Sequence, residues 1–291
     1  MPEFVGLIGY PLRHSLSPHF QQAALDYYGL DICYQAWETA PEELEIAIAR
    51  LKEPQNLGAN VTVPYKEAVL PLLDQVDRLA NLIGAVNTIV NRNGSLWGYN
   101  TDAHGFMKAL KKQGDFEAGG KRAAILGAGG AARAVGFALV KGKAASLLIA
   151  NRTLKRSQAL AGSLRHYISQ SELETEVRVL TWPSLASSNV FYDCNLVVNC
   201  TTIGMKYGSS EGQSPLGIDV IPERILVYDL IYNPYPTPLL YLAREAGANI
   251  LGGLPMLVYQ GAASFELWTG EETPIDIMYN KAEEMLLGGE R

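Results

Sequence analysis

Short apolar runs alternate with amphipathic stretches along most of the chain. Continuous apolar runs predict buried strands, and apolar residues that recur every three or four positions predict helices. The predicted strands are residues 4–8, 32–37, 59–63, 86–91, 95–99, 123–126, 146–150, 177–180, 196–199, 225–230 and 249–251. The predicted helices are residues 18–28, 41–51, 65–73, 77–83, 103–112, 131–140, 157–167, 238–246, 256–268 and 274–287. Strands that alternate with helices in this way predict an α/β fold.

The two halves of this pattern differ in how their strands are connected. In the first half, Asn93-Gly94 separates two predicted strands, and this dipeptide favours a tight β-hairpin turn. In the second half the regular alternation predicts a doubly wound parallel sheet. The last two predicted helices have no strand between them, so we expect them to pack on the N-terminal half. For 291 residues we expect two domains, 1–102 with 253–291, and 103–252.

The stretch from residue 121 to 133 has the order strand, glycine turn, helix. Gly127, Gly129 and Ala132 occupy the three small-residue positions of the dinucleotide-binding fingerprint, whose last position tolerates alanine. Such a turn lets the backbone approach a pyrophosphate, and the helix N-terminus favours an anion. We therefore expect a bound dinucleotide, with a purely structural tight turn as the alternative. The expected contacts are Gly127, Ala128, Gly129, Gly130 and Ala131.

The end of the next predicted strand indicates which dinucleotide binds. An NAD site usually has an Asp or Glu there for the ribose hydroxyls, whereas this strand ends in Asn151-Arg152-Thr153. A guanidinium and a hydroxyl can bind the 2′-phosphate that a carboxylate would repel. The sequence therefore predicts NADP, bound by Asn151, Arg152 and Thr153, with a solvated basic loop as the alternative.

Composition and charge narrow the classes of function. The chain is 48% hydrophobic and 19% charged, and its net charge of −6 without a basic tract argues against a nucleic-acid partner. No apolar run approaches the roughly 20 residues that span a bilayer, which argues against a membrane protein. Cys33, Cys194 and Cys200 lack metal-ligand spacing and suit reduced thiols. We expect a cytoplasmic enzyme that acts on small molecules without a bound metal.

Two polar segments of the first half are candidates for substrate binding. Ser15 and Ser17 precede a predicted helix that would start at Pro18, so Ser17 is expected to cap that helix. Alternatively, both hydroxyls bind a carboxylate. Asn60 and Thr62 would point to one face of their strand, at the carboxyl end where α/β folds bind ligands.

Lys66 has an unusual predicted setting, in the first turn of the predicted helix 65–73. The helix dipole opposes a cation at that position, so we expect the ammonium to release a proton more readily. Asp102 could orient Lys66 or carry its proton, or could simply cap the following helix. An ordinary surface lysine is the alternative for Lys66, and His14 and His104 are rival bases.

Taken in order, these segments resemble one known family, the shikimate dehydrogenases, over essentially the whole chain. The motifs of the first half are Ser15-Leu16-Ser17-Pro18, Asn60-Val61-Thr62-Val63-Pro64-Tyr65-Lys66, Gly84-Ala85-Val86-Asn87-Thr88 and Asn100-Thr101-Asp102. Those of the second half are Gly127-Ala128-Gly129-Gly130-Ala131-Ala132-Arg133, Asn151-Arg152-Thr153, Asn199-Cys200-Thr201, Gly204-Met205, Tyr228-Asp229, Gln260 and Phe265-Glu266-Leu267-Trp268. Each motif is short, but their occurrence together in this order is specific.

The resemblance implies an NADP-dependent oxidoreductase that reversibly reduces 3-dehydroshikimate to shikimate, in aromatic amino-acid and chorismate biosynthesis. It also implies a cleft between an N-terminal α/β substrate domain and a Rossmann-type NADP domain. Lys66 and Asp102 would be the catalytic pair that supplies a proton while the nicotinamide supplies a hydride. The implied substrate contacts are Ser15, Ser17, Asn60, Thr62, Asn87, Thr101, Tyr232 and Gln260. The implied cofactor contacts beyond the fingerprint and Arg152 segments are Thr201, Gly253 and Met256.

Departures from the family pattern leave the reaction in place but keep alternatives open. The departures are at Ala103, at Gln21-Gln22, and at residues 252–255 of the loop that would approach the nicotinamide. A quinate or dual quinate/shikimate dehydrogenase is one alternative, although Ser15 and Arg152 favour shikimate with NADP. A catalytically silent NADP-sensing protein is another, and the joint presence of Lys66, Asp102 and Gln260 argues against it. The expected assembly is a monomer or a homodimer.

Overall fold

The computed structural model describes residues 2–12, 15–187 and 189–288, which form two compact units. The first unit joins the residues up to Gly105 to those from Leu257 onward, and the second runs from Phe106 to Met256. The strands are β1 (Glu3–Gly9), β2 (Ile32–Glu38), β3 (Asn56–Val61), β4 (Gln75–Val76), β5 (Thr88–Arg92), β6 (Ser95–Tyr99), β7 (Arg122–Leu126), β8 (Ser146–Asn151), β9 (Glu176–Thr181), β10 (Leu196–Asn199), β11 (Leu226–Asp229) and β12 (Asn249–Leu251). The α-helices are α1 (Ser17–Tyr27), α2 (Leu44–Arg50), α3 (Arg78–Ile83), α4 (Asp102–Lys112), α5 (Gly130–Lys141), α6 (Leu154–Ser169), α7 (Pro238–Glu245), α8 (Leu254–Thr269) and α9 (Ile275–Gly288).

The first unit is built on a mixed sheet with the strand order β2-β1-β3-β5-β6-β4. Strand β1 pairs in parallel with β2 and β3, whereas β5 is antiparallel to both β3 and β6. The carboxyl ends of β1, β3 and β6 therefore lie at one edge of the sheet, together with the start of β5. Loops that leave this edge are the ones that can converge on a common site.

Successive side chains of β3 point to opposite faces of the sheet. Val61 is buried in an apolar cluster with Ile8 and Ile89 of the neighbouring strands and Ile48 of α2. Because successive side chains of a strand point to opposite faces, Asn60 lies on the other face.

Within the described ranges, no helix has both the length and the apolar composition needed to cross a membrane.

The predicted hairpin between β5 and β6 is confirmed. Asn93 and Gly94 have φ values of 54° and 87°, and β5 and β6 pair in antiparallel register on either side of them. Positive φ at both central residues is the requirement of the type I′ turn, which Asn-Gly meets at the lowest cost. The turn brings the end of β6 back beside the start of β5.

The second unit is a sheet of six parallel strands in the order β9-β8-β7-β10-β11-β12. Numbered from the start of this unit, the order is 3-2-1-4-5-6, that of the dinucleotide-binding doubly wound fold. The prediction of a doubly wound parallel sheet is therefore confirmed. The strand order reverses between β7 and β10, where such sheets bind ligands at their carboxyl edge.

The predicted helix over residues 65–73 is wrong. Residues 66–69 form turns, and a short 3₁₀ helix covers Leu70–Leu72. The Lys66 carbonyl accepts a hydrogen bond from the Val86 N–H at 2.7 Å, and the Leu70 N–H bonds to Glu67 instead. A tertiary hydrogen bond thus takes the acceptor that a continuous α-helix would need. The sequence pattern also misses β4, which pairs with β6.

Candidate active site

Polar side chains converge at the carboxyl edge of the first sheet. Thr62 follows β3, Thr101 follows β6, and Asn87 immediately precedes β5. Main-chain bonds hold these segments together, because the Asn87 carbonyl accepts from Val61 at 2.8 Å and its N–H donates to Tyr99 at 3.0 Å. The motifs that are distant in sequence are therefore neighbours in this unit.

Lys66 and Asp102 form an ion pair at this edge. The Lys66 Nζ donates to Asp102 Oδ2 at 2.6 Å, and the side chains are 17% and 3% exposed. Since Lys66 lies in a turn, the expected opposition by a helix dipole is wrong. Its setting comes instead from the Val86 bond to its carbonyl and from the Asp102 carboxylate.

Asp102 is the first residue of α4 but does not cap it through its side chain. The N–H of Ala103 donates to Asn100 Oδ1 at 3.2 Å, so Asn100 provides the cap. The second carboxylate oxygen of Asp102 accepts from Asn87 Nδ2 at 2.9 Å. Both oxygens of Asp102 are thus directed at side chains of the polar cluster.

Asn87 is the centre of the cluster. Its Nδ2 lies 2.8 Å from Thr101 Oγ1 and 3.0 Å from Gln260 Oε1, and its Oδ1 accepts from the Thr101 N–H at 2.7 Å. Gln260 reaches it from α8 and donates through Nε2 to the Leu257 carbonyl. With two amide hydrogens and three nearby acceptors, counting Asp102, the Asn87 amide orientation is determined by its surroundings.

Asn60 belongs to the same network but is engaged by protein at both ends. Its Oδ1 accepts from the Tyr34 hydroxyl at 2.8 Å, and its Nδ2 lies 3.0 Å from Ser264 Oγ and 3.1 Å from the Asn87 carbonyl. Burial raises the pKa of Tyr34, which keeps that hydroxyl a donor. These contacts suit a supporting role behind the residues that line the edge.

Three members of the network are not among the predicted site residues: Tyr34, Thr88 and Ser264. The Ser264 hydroxyl lies 2.7 Å from Thr88 Oγ1 and 3.1 Å from Thr101 Oγ1, and both Ser264 and Thr88 are fully buried. Ser264 stands four residues after Gln260 on a largely apolar helix, so the two share one face. That spacing is a signal in the sequence, whereas Tyr34 offers none.

The two serines sit at the start of α1 in a different arrangement from the expected cap. The helix begins at Ser17 itself, and the preceding residue, Leu16, forms no side-chain cap. The expectation that Ser17 is the cap is therefore wrong, and the Ser17 N–H instead donates to Ser15 Oγ at 3.3 Å.

Of the rival bases, His104 is exposed on α4, and His14 lies outside the described residues.

The glycine turn of the second unit packs against the end of β10. Gly127 has a φ of 114°, and a Cβ added to it would lie 3.1 Å from the Cys200 carbonyl oxygen. At Gly129 an added Cβ would meet no atom within 4 Å, and α5 starts at Gly130 without a side-chain cap. An open approach to uncapped helix amides fits a dinucleotide pyrophosphate.

The predicted 2′-phosphate segment forms a turn after β8. Asn151 Nδ2 donates to the Thr153 carbonyl at 3.1 Å, and both Arg152 and Thr153 are exposed. A guanidinium and a hydroxyl presented together, without a carboxylate in the turn, fit NADP better than NAD.

The remaining predicted contacts also lie in the second unit. Thr201 donates through its N–H and Oγ1 to Asn199 Oδ1, at 3.0 and 2.7 Å. The Gly253 N–H donates to the Ile231 carbonyl at 3.2 Å, Met256 is buried, and Tyr232 is half-buried. Over residues 2–12, 15–187 and 189–288, no three His, Cys, Asp or Glu side chains are grouped so that they could hold a metal ion.

Three family models match successive parts of the chain. The shikimate dehydrogenase substrate binding domain matches residues 7–89, and the shikimate/quinate 5-dehydrogenase model matches residues 108–181. The shikimate 5′-dehydrogenase C-terminal domain matches residues 253–283. The matches thus include parts of both units.

Individual proteins are similar over nearly the full length. The shikimate dehydrogenase (NADP(+)) of Methanopyrus kandleri is 43% identical over 274 residues, which cover 94% of this chain and 92% of that protein. Shikimate 5-dehydrogenase from Thermus thermophilus, in complex with NADP(H) and shikimate, has a TM-score of 0.84 at 37% identity, covering 98% of this chain and 100% of its own. Quinate dehydrogenase from Corynebacterium glutamicum, in complex with NAD, has a TM-score of 0.86 at 30% identity, covering 99% of each chain.

Proposed function

The chain belongs to the shikimate dehydrogenase family, and from this we propose that it catalyses the NADPH-dependent, reversible reduction of 3-dehydroshikimate to shikimate. This assigns it to aromatic amino-acid and chorismate biosynthesis. The observation that carries the proposal is the Lys66–Asp102 pair, which is held in a polar cluster with Asn87 and Gln260. A protein that only sensed NADP would not need such a cluster.

Ketone reduction needs a hydride and a proton. NADPH, when bound, supplies the hydride. We propose that Lys66 Nζ donates the proton to the substrate oxygen and takes it back in the reverse reaction. Asp102 Oδ2, 2.6 Å from Nζ, orients the ammonium before the transfer.

The substrate contacts follow from the same arrangement. Asn87, Thr101, Gln260 and Thr62 are proposed to bind the ring hydroxyls and ketone. In support, Asn87 contacts Thr101, Gln260 and the Asp102 partner of Lys66, and Thr62 directly follows β3. Ser15 and Ser17 are proposed to bind the carboxylate, and Tyr232 is a further contact that the family resemblance supports. Asn60 is proposed to orient Asn87 and Thr88 from behind, because its amide already bonds to protein groups.

NADP is proposed to bind to the second unit, Phe106–Met256. The domain division expected from the sequence, with an NADP domain at 103–252 and a substrate domain at 1–102 and 253–291, is kept as a proposal. The fit of the Gly129 approach to a pyrophosphate and of Arg152 to a 2′-phosphate supports this assignment. The proposed cofactor contacts are Gly127, Ala128, Gly129, Gly130, Ala131, Asn151, Arg152, Thr153, Thr201, Gly253 and Met256.

The test is turnover of shikimate with NADP⁺ by the purified protein, followed by NADPH absorbance. Quinate and NAD⁺ are run in all combinations, and we expect the highest kcat/KM for shikimate with NADP⁺. A higher value for quinate with NAD⁺ would favour the quinate dehydrogenase alternative. Tight NADPH binding without turnover of either substrate would favour the silent sensor.

A cytoplasmic location and a monomeric or dimeric assembly are also proposed. Cys33, Cys194 and Cys200 are not joined in disulfides, which suits a reducing compartment. Light scattering at several protein concentrations separates the monomer from the homodimer.

A further inference from the structure

The second unit contains a buried carboxylate that takes no part in the chemistry proposed above. Asp229, the last residue of β11, has no exposed surface. Its Oδ1 accepts from Asn199 Nδ2 at 2.9 Å and from the Ile231 N–H at 3.1 Å, and its Oδ2 accepts from Thr237 Oγ1 at 2.6 Å. All three donors are neutral, and burial raises the pKa of Asp229 to about 6. Burial of a carboxylate is costly unless hydrogen bonds replace its lost hydration, so the three bonds to Asp229 are needed in this place.

One arm of this arrangement leads to the loop after β10. Because Asn199 Nδ2 is committed to Asp229, the Asn199 amide is turned so that its Oδ1 faces the following residues. That oxygen accepts from both the N–H and the Oγ1 of Thr201, and Thr201 Oγ1 in turn accepts from the Ile203 N–H at 3.2 Å. Asp229 therefore influences the path of residues 199–203 through its hydrogen bond to Asn199.

This loop is the surface against which the glycine turn packs. Strands β7 and β10 are parallel neighbours, with Leu126 opposite Asn199, so the segments that follow them leave the sheet side by side. The Cys200 carbonyl oxygen is 3.1 Å from the position of a Cβ at Gly127. A displacement of the loop would move the Gly127 turn or leave it without support.

The other arm leads away from that turn. Thr237 Oγ1, which donates to Asp229, accepts from the Leu240 N–H at 3.2 Å and so caps α7. This arm stabilises the start of α7. Its hydrogen bonds named here involve Asp229 and Leu240 and no residue of the glycine turn. The two arms can therefore be separated by substitution.

We infer that Asp229 is a positioning residue for the cofactor, which acts through Asn199 to hold the 199–203 loop against the Gly127 turn. The inference rests on the proposed binding of NADP to the second unit. It assigns Asp229 and Asn199 an effect on NADPH affinity that is separate from their effect on folding.

The experiment measures the Kd of NADPH by its fluorescence for the wild type and for Asn199→Ala, Thr237→Val, Asp229→Asn and Asp229→Ala. We expect Asn199→Ala and Asp229→Ala to weaken NADPH binding by about tenfold, the equivalent of one buried polar group left without its partner. Asp229→Asn keeps an acceptor oxygen for Asn199 and should stay within about threefold of the wild type. Thr237→Val should lower the melting temperature while its Kd also stays within about threefold. The KM for shikimate should be unchanged in every variant.

The outcomes distinguish this inference from the proposed function. A wild type that does not bind NADPH would overturn the cofactor assignment and this inference with it. A wild type that binds NADPH, with Asn199→Ala binding equally well, would overturn the inference alone. Equal weakening by Thr237→Val and Asn199→Ala would also overturn it, because the effect would then follow general destabilisation. If Asp229→Ala does not fold, the Asn199→Ala and Thr237→Val pair still decides the question.

Discussion

Lys66 and Asp102 are shielded from solvent to different degrees. The Lys66 side chain keeps 17% of its surface exposed, whereas Asp102 keeps 3% and also accepts from Asn87. A ligand can therefore reach the ammonium while the carboxylate stays behind it. In so shielded a pair, the loss of either member leaves the other charge without a comparable partner.

Replacement of Lys66 by alanine should lower kcat by about 10²–10⁴-fold, the usual contribution of a general acid–base group, with a much smaller change in shikimate KM. Steady-state kinetics with shikimate and NADP⁺ measures both constants. Lys111→Ala is the matched control, because Lys111 pairs with Glu117 at the surface, and it should leave both constants unchanged. Full turnover in the Lys66→Ala protein would move the proton transfer to Asp102, His104 or water.

Ser264 joins three other buried polar side chains behind the site. Ser264→Ala should lower the free energy of unfolding by about 1–3 kcal/mol, because Asn60, Thr88 and Thr101 lose a shared buried partner. Urea denaturation measures the change. Ser157 is an equally buried serine whose Oγ donates to Leu154 within its own helix, so Ser157→Ala should cost less. Equal losses in the two variants would contradict a network role for Ser264.

At the scale of elements, we expect the turn between β8 and α6 to determine the choice of cofactor. Arg152→Ala should raise the KM for NADPH by about tenfold, since a charge-assisted bond to the 2′-phosphate is lost, and leave that for NADH unchanged. Arg178→Ala, which removes a surface guanidinium paired with Glu176, is the control and should change neither value. Equal losses for NADPH and NADH in Arg152→Ala would show that Arg152 does not read the 2′-phosphate.

The segment that carries Lys66 shows where local pattern fails. Residues 65–73 have helical spacing, but the Val86 N–H takes the Lys66 carbonyl and the segment closes into turns. That bond depends on the loop before β5, which lies about twenty residues further along the chain, so local helical spacing does not predict it. Identification of Lys66 did not need the helix, whereas the explanation of its setting did need the structure.

For the whole molecule, the second unit could be predicted more completely than the first. Strands β7 and β10 are buried on both faces over nearly their full length, and with β8 they form apolar runs that stand out in the sequence. The polar network of the first unit is assembled from β2, β3, β5, α4 and α8. Tyr34 and Ser264 meet at Asn60 from distant parts of the chain, and no local periodicity relates them.

Stability of the protein should depend on pH through Asp229. Its pKa is raised from 3.8 to about 6 on folding, so the folded state holds the proton more tightly than the unfolded state. The resulting stabilisation is complete below pH 3.8 and is lost as the pH rises through about 6. Relative to Asp229→Asn, the wild type should lose up to about 3 kcal/mol of unfolding free energy between pH 4 and pH 7. Urea denaturation across this range measures the unfolding free energy of the wild type minus that of Asp229→Asn. If this value stays constant or rises between pH 4 and pH 7, the expectation is contradicted.

The division of the chain between its two units determines the order in which they can fold during synthesis. Residues 106–256 form one unit without interruption, whereas the other needs both ends of the chain. Helix α1 packs against α9, and Asn60 and Asn87 find partners on α8. We expect a nascent chain with residue 256 outside the ribosome to resist protease over residues 106–256 while its earlier part is still cleaved. Protection of that earlier part at this length would contradict the expectation. On this expectation, residues 106–256 fold before the unit that holds Lys66, and the polar residues of that unit remain in contact with water until α8 and α9 have been synthesised.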